Sequence, residues 1–338
     1  MMSKIRLSPA IEAFAESMKA QGKKPRTIKN NVQVLNAALE VWGNIYVNSI
    51  QPRHIENLFA AHDWAPSTYN LYLANLRGNF FPWARRHKHI PKDYDPTEGW
   101  RTRRVPNVER LWLPVEEFGD LLDAAWNERD RVILALGLYT FARGIEISNL
   151  RIEDLDFNNN FVNIYRTKSE EEDMLPMASE LKQELLTWTN RYRQMAGPLQ
   201  PDWFVIPWFQ KAKDDRGRWT RAYTLNKVYP HRPIQRPYYQ VHGALEVLGY
   251  GEMDRTGTHT LRRSGARALF DRLRSEGFDG ALMRVQSMLG HKDAKTTQKY
   301  LGLTIERHQR NEMLAGKPMF PNVGKSAEII QIARQSWA

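Results

Sequence analysis

Residues 282–300 read LMRVQSMLGHKDAKTTQKY. Leu282, Val285 and Leu289 are spaced three and four apart, which is one face of a helix. Gly290 follows at once, and glycine is the residue that most readily takes the left-handed conformation ending a helix. The chain is therefore expected to turn sharply there and to set His291 beside the helix end. Tyr300 comes nine residues after His291.

Working outward, three more segments carry chemically capable side chains. His259-Thr260-Leu261-Arg262-Arg263-Ser264 puts His259 and Arg262 at i and i+3, on one helix face. Leu261, Ala268 and Leu269 are expected to bury the other side. Phe141-Ala142-Arg143-Gly144-Ile145-Glu146 follows an apolar, buried helix expected over residues 131–141. Phe161-Val162-Asn163-Ile164-Tyr165-Arg166 alternates apolar and polar as a strand does, and Met174-Leu175-Pro176-Met177 lies beyond a charged turn at residues 168–173. That pattern predicts a hairpin. Lys168, in its turn, is the only lysine between Lys92 and Lys182.

The N-terminal third reads as helical. Thr27 precedes a ladder of Ile28, Val32, Leu35 and Leu39 and is expected to cap it. Pro52 fits the first turn of a short helix. Ser67 and Thr68 are expected to open another, with Leu71, Leu76, Phe80 and Trp83 inward. Lys23, Lys24, Arg26 and Lys29 cluster at one helix start; Arg85, Arg86 and Lys88 follow Trp83. Both clusters fit phosphate contact or a solvated face. Residues 92–110 carry Pro, Gly and charge with little apolar periodicity, and form the expected domain boundary. Arg101, Arg103, Arg104 and Arg110 lie in it. A second helical domain is expected from Leu113, with Pro114 in its first turn and Phe118, Leu121, Leu122 and Ala125 inward. Residues 198–238 read as a loop-rich insertion, and helical pattern returns at Tyr239, with Val241, Leu245 and Leu248 inward.

The 338 residues include 42% apolar side chains and carry a formal net charge of +11. That is enough apolar material for ordinary cores, and a basic balance is compatible with binding a polyanion through counterion release. The chain has no cysteine, which excludes disulfides, thiolate metal sites and a cysteine nucleophile. No compact Asp/Glu/His cluster stands out as a metal site. No apolar run is long enough for a membrane span and no signal-peptide core opens the chain, so a cytoplasmic protein is expected.

The order of the segments is specific where each alone is weak. Arg143, then Lys168 in a hairpin, then His259-x-x-Arg262, then Leu289-Gly290-His291, then Tyr300 resembles the tyrosine recombinases, the phage integrase family. The resemblance is dense over residues 111–303 and looser over 8–100. It implies a mainly α fold with a small antiparallel β-sheet, in a two-domain DNA clamp. Residues 1–105 would be the helical core-site-binding domain with a basic linker at its end. Residues 106–322 would be the catalytic domain, and residues 323–338 a tail. Residues 326–335 of that tail, with Ile329, Ile330 and Ala333 on one face, are expected to pack on a neighbouring protomer.

The same resemblance implies a site-specific recombinase working through a 3′-phosphotyrosyl intermediate, with no cofactor or metal. Tyr300 would be the nucleophile. Arg143, Arg262 and His291 would stabilise the phosphate, His259 would take the phenol proton, and Lys168 would protonate the leaving oxygen. Glu146 would stand behind, holding Arg143 or His259. The partners implied are a double-stranded DNA core site, a homotetramer in the synaptic complex, and room for an accessory DNA-bending or directionality protein, near the nucleoid of a bacterial host. Few residues precede the first helix, so a separate arm-site domain is expected to be absent. A type IB topoisomerase and a non-enzymatic DNA binder on the same scaffold are the alternatives. Two departures stand out: Ala142 replaces a frequent glycine, and the acidic run 170–173 follows Lys168 where relatives often have basic residues. Those acids either oppose the phosphate, face solvent or meet a neighbouring subunit.

Overall fold

The computed structural model describes residues 3–106, 110–251 and 257–303. The expected tail contact of residues 326–335 lies outside them. The chain divides into two compact units, Met1–Val108 and Glu109–Ala338. No helix among the described residues is long and apolar enough to cross a membrane.

The first unit is helical: α1 (Leu7–Ala20), α2 (Pro25–Trp42), α3 (Pro52–Ala60), α4 (Pro66–Asn75) and α5 (Phe81–Arg86). Three of these begin on proline, whose missing N–H costs nothing in a first turn. This moves two expected starts. α2 is entered at Lys24 rather than capped by Thr27, and α4 starts at Pro66 rather than at Ser67. Leu76, Phe80 and Trp83 are buried as expected, but Leu71 is 47% exposed. The buried stripe runs Tyr69, Tyr72, Leu73, Leu76; Leu71 is five residues from Leu76 and falls on another side of the helix. The core is aromatic at its centre, where Phe14 meets Phe80 edge-on at 5.6 Å.

The second unit is mainly helical with small antiparallel sheets. In order it contains α6 (Phe118–Asp123), α7 (Glu128–Tyr139), α8 (Gly144–Asn149), β1 (Leu155–Asp156), β2 (Phe161–Arg166), β3 (Glu171–Pro176) and α9 (Ser179–Ala196). Then come β4 (Pro207–Lys213), β5 (Trp219–Pro233), α10 (Tyr238–Val247), α11 (Thr258–Ser275), α12 (Ala281–Leu289) and α13 (Ala294–Tyr300). Pro114 sits just ahead of a 3-10 turn, Val115–Glu117, that leads into α6. α7 is the expected apolar helix, but it begins at Glu128, where the Asn127 side chain accepts the Asp130 N–H, and stops before Thr140. Residues 132–136 are fully buried, because α9, α10 and α11 all pack on it.

The expected hairpin is present, with Val162 opposite Leu175 and Arg166 opposite Glu171, and β1 adds a short third strand. Residues 171–173 belong to β3, not to the turn as the charge pattern indicated. The segment read as a loop-rich insertion holds a second hairpin, β4 with β5, whose pairing shifts register three times. Extra residues on β5 at each shift break the one-to-one pairing of the strands. A broken alternation of this kind leaves no period for sequence reading to detect.

α7 and α11 cross at very close range. A Cβ on Gly265 would lie 1.8 Å from the Leu138 carbonyl oxygen, and one on Gly137 would lie 2.9 Å from Leu261 Cδ1. The first clash is with backbone and cannot be relieved by a rotamer. Gly265→Ala is therefore expected to destabilise the protein by at least the roughly 1–3 kcal/mol typical of overpacking, read as a lower midpoint in thermal unfolding. Gly119→Ala, where nothing lies within 4 Å, is the control expected to unfold close to wild type.

Candidate active site

Five elements bring the chemically capable side chains together. Arg143 is the entry residue of α8, and its backbone N–H and Nη1 both donate to the Glu146 carboxylate, at 2.8 and 2.7 Å. The Glu146 carboxylate has no exposed surface. It also accepts Arg166 Nη1 at 3.1 Å. Burial raises the Glu146 carboxyl, but the bonds from Arg143 and the charges of Arg143 and Arg166 outweigh it and hold the group below its usual range. Glu146 thus holds Arg143 and Arg166; no hydrogen bond joins it to His259 among the described residues.

Arg166 was not among the residues singled out from sequence. It is buried at the end of β2, where Nε donates to Asp173 at 2.8 Å and Nη2 to the Met288 carbonyl at 2.7 Å. One guanidinium therefore ties the hairpin to α8 and to the end of α12. The available signal was the alternation Val162, Ile164, Arg166, whose third member points inward with the other two. Two of the four acids are placed here: Asp173 is Arg166's partner, and Glu172 accepts from Asn163, while Glu170 and Glu171 are exposed.

Arg262, in the second turn of α11, is 1% exposed. It donates to the carbonyls of Phe141 and Leu289, the residues at the ends of two other segments of the site. Burial lowers it to about 10, so it stays charged near neutral pH. Arg263 is buried beside it and donates to the Leu111 carbonyl. The expected apolar side of α11 therefore includes arginine held by backbone carbonyls, with Arg263 Nε buried and unpaired among the described residues. Phe141 has φ of 52°, the left-handed region that side chains other than glycine seldom adopt. The unusual backbone thus falls on Phe141, one residue before the Ala142 substitution.

Gly290 ends α12 in the left-handed conformation, as expected. His291 Nδ1 lies 3.1 Å from the Thr297 hydroxyl, and its ring meets Tyr300 edge-on at 5.4 Å. Tyr300 closes α13, and its hydroxyl donates to the His259 carbonyl at 3.3 Å. Burial raises the phenol, partly opposed by Arg262 and Arg263. Partial burial and the charges of Arg262, Arg143, Lys168 and Arg166 press His291 down to about 4. His259 keeps an open side to solvent, yet burial of the remainder and the neighbouring arginines also lower it. Lys168 stands exposed in the hairpin turn, within range of His291. The cluster is a set of cations whose main internal counter-charge is Glu146, and both histidines are neutral at neutral pH. It suits an entering anion. Among the described residues no three His, Cys, Asp or Glu side chains gather as a metal site.

The basic residues proposed for DNA contact divide. Lys23, Lys24, Arg26, Lys29, Arg86, Lys88, Arg101, Arg103 and Arg104 are exposed. Arg103 lies 4.0 Å over the Tyr69 ring. Arg85 instead turns into its own unit, donating to the Tyr94 carbonyl at 2.9 Å beside Asp95. Its charge is spent on holding the chain after α5.

Residues 112–307 match the family model described as "Phage integrase family", more than half of the chain. A tyrosine recombinase of Pseudothermotoga lettingae is 28% identical over 216 residues, covering 62% of each chain. Tyrosine recombinase XerA of Thermococcus kodakarensis is 25% identical over 298 residues, covering 88% of this chain and 91% of that one. The chain thus spans less than two thirds of the first relative's length and most of the second's. A solved lambda integrase dimer bound to a core site superposes with a TM-score of 0.62 at 14% identity, over 88% of this chain and 78% of that one. That likeness is one of fold.

Histidines held below 6.5 bind protons more readily in the unfolded chain than in the native one. The DNA-free protein is therefore expected to keep this stability above pH ~6.5 and to lose it as pH falls towards about 4, the native value of His291. Thermal midpoints of wild type and His291→Gln across this window test it. The wild type should fall more steeply; equal slopes would count against a depressed His291.

Proposed function

Because the chain belongs to the phage integrase family, we propose that it is a site-specific DNA recombinase that cuts and rejoins strands through a 3′-phosphotyrosyl intermediate. The natural setting is integration or excision of a phage or mobile element in a bacterial cytoplasm. The observation that carries this reading is the phenol of Tyr300 lying among Arg143, Arg262, Arg263, His259 and His291, with positive charge in excess.

The chemistry follows from that arrangement. Tyr300 attacks phosphorus, and His259, neutral and partly open, takes the phenol proton. Arg143 and Arg262 supply N–H donors not used on Glu146 or on the carbonyls of Phe141 and Leu289, and bind the non-bridging oxygens. These donors are fixed before the substrate arrives, so they stabilise charge as it develops. His291 adds one more. The P–O5′ bond breaks as the Tyr300 O–P bond forms, and Lys168 gives its proton to the departing oxygen. The phosphotyrosyl bond keeps the energy of the broken one, so a second strand's hydroxyl reverses the step without ATP.

The exposed basic residues of the first unit and of residues 101–104 would follow DNA phosphates. On this reading the two units clamp a duplex core site, and two sites are held in a homotetramer, with an accessory DNA-bending or directionality protein as a further partner.

Incubated without added metal with nicked DNA carrying its site and then denatured, wild-type protein is expected to leave a covalent adduct. Tyr300→Phe should bind the DNA and leave none. An adduct that persists in the variant would sink the assignment of the nucleophile. Lys168→Ala is expected to slow cleavage about 10²–10⁴-fold, the usual weight of a general acid. A substrate with sulfur in place of the bridging 5′ oxygen, whose leaving group needs no proton, should restore most of the rate. Failure of that rescue would remove the acid role from Lys168.

A further inference from the structure

A second concavity in the catalytic unit uses none of the cluster around Tyr300. It has a volume of about 710 Å³ and lies between the β4–β5 hairpin and α10, with Trp126, Trp208, Arg232, Ile234, Arg236 and Tyr239 among its walls. That size falls in the roughly 300–1,000 Å³ range of pockets that enclose small organic groups.

Its walls combine flat aromatic surface with cations. Tyr239 is 60% exposed and Trp126 39%. Arg232 lies 4.4 Å over the Trp208 ring. Neither Arg232 nor Arg236 has a carboxylate partner among the described residues, whereas Glu246, the acid of the pocket, lies 3.9 Å from His242. The exposed ring of Tyr239 accepts a nucleobase whatever its identity, and guanidinium groups without a carboxylate accept its phosphate. An apolar peptide would satisfy the rings and leave the charges unanswered.

The pocket is joined to the catalytic cluster through the chain itself. Pro237 and Tyr238 lie between Arg236 and Tyr239. A Cβ on Gly144, next to Arg143, would stand 3.4 Å from Pro237 Cγ. A Cβ on Gly257, two residues before His259, would stand 2.9 Å from Tyr238 Cδ2. The start of α10 thus packs on the residues that carry Arg143 and His259 and presents its next side chains to the pocket.

We propose that this pocket binds one unpaired nucleotide of a DNA strand, with the base against Tyr239 and Trp126 and the phosphate at Arg232 and Arg236. The proposal rests on the recombinase reading, since strand cleavage at Tyr300 is what frees nucleotides from pairing nearby. The pocket would hold a released strand end until it is rejoined.

The probe is a hexathymidylate carrying one central 5-iodouracil, used with the full chain. Binding is read by fluorescence anisotropy, and the position of contact by photocrosslinking and peptide mapping. Tyr239→Ala and Arg236→Ala change exposed side chains, and circular dichroism checks that both fold. Each is expected to weaken the oligonucleotide about tenfold, in line with loss of one stacked base or one phosphate contact, and the crosslink should fall on Trp126, Trp208 or Tyr239. Formation of the Tyr300 adduct on nicked duplex should persist in both. No binding by wild type, unchanged affinity in both variants, or a crosslink elsewhere would overturn the pocket, and a pocket made for a protein segment would give the second result. If the adduct still forms in those cases, the recombinase reading stands without the pocket; a wild type that forms none removes the reading beneath it.

Discussion

The site depends on one buried carboxylate. Glu146 has no solvent contact and holds two guanidinium groups, one from its own helix and one from the hairpin. Breaking a buried pair by removing one partner typically costs about 3–5 kcal/mol, because the other charge is left uncompensated. Here the carboxylate also offsets repulsion among Arg143, Arg166 and Arg262, on α8, the hairpin and α11. It does so incompletely: burial first, and the remaining positive charge after it, hold His259 and His291 down, and the cluster keeps a cationic excess.

Backbone carbonyls do the rest of the neutral work. Arg262 donates to Phe141 and Leu289, Arg263 through Nη1 to Leu111 with its buried Nε left unpaired among the described residues, and Arg166 to Met288 as well as to its acids. Phe141, Met288 and Leu289 lie at or just past helix ends, where carbonyls are left without intrahelical partners, and Leu111 lies in irregular chain ahead of α6. The left-handed Phe141 costs roughly 1–2 kcal/mol, and its buried ring packs in one cluster with Phe270 and Leu289, which holds that turn in place. The glycine contact between α7 and α11 sets the distance at which Arg262 meets those carbonyls. Packing at the crossing and the placement of Arg262 therefore share the same helix.

Much of this was legible as type and spacing. The turn at Gly290 follows from the conformational freedom of glycine after an apolar ladder. β2 and its return strand follow from alternation. The burial of residues 132–136 follows from an unbroken apolar run. Reading failed where the period is interrupted, as in β4 and β5 with their three register shifts, or where the residue type misleads. Arg85 and Arg166 look like surface cations, yet one holds the chain after α5 and the other lies in the core.

The sequence by itself determined the helical frame, the first hairpin and the set of side chains competent for phosphate chemistry, because periodicity and glycine placement act over a few residues. Only the tertiary structure decided which of those charges are buried and what neutralises them. Arg166 meets the Met288 carbonyl across 122 residues of chain, and Arg262 meets Phe141 across 121. A buried charge is stable only beside its partner, and a partner that distant is chosen by how helices and strands pack, which no local pattern encodes.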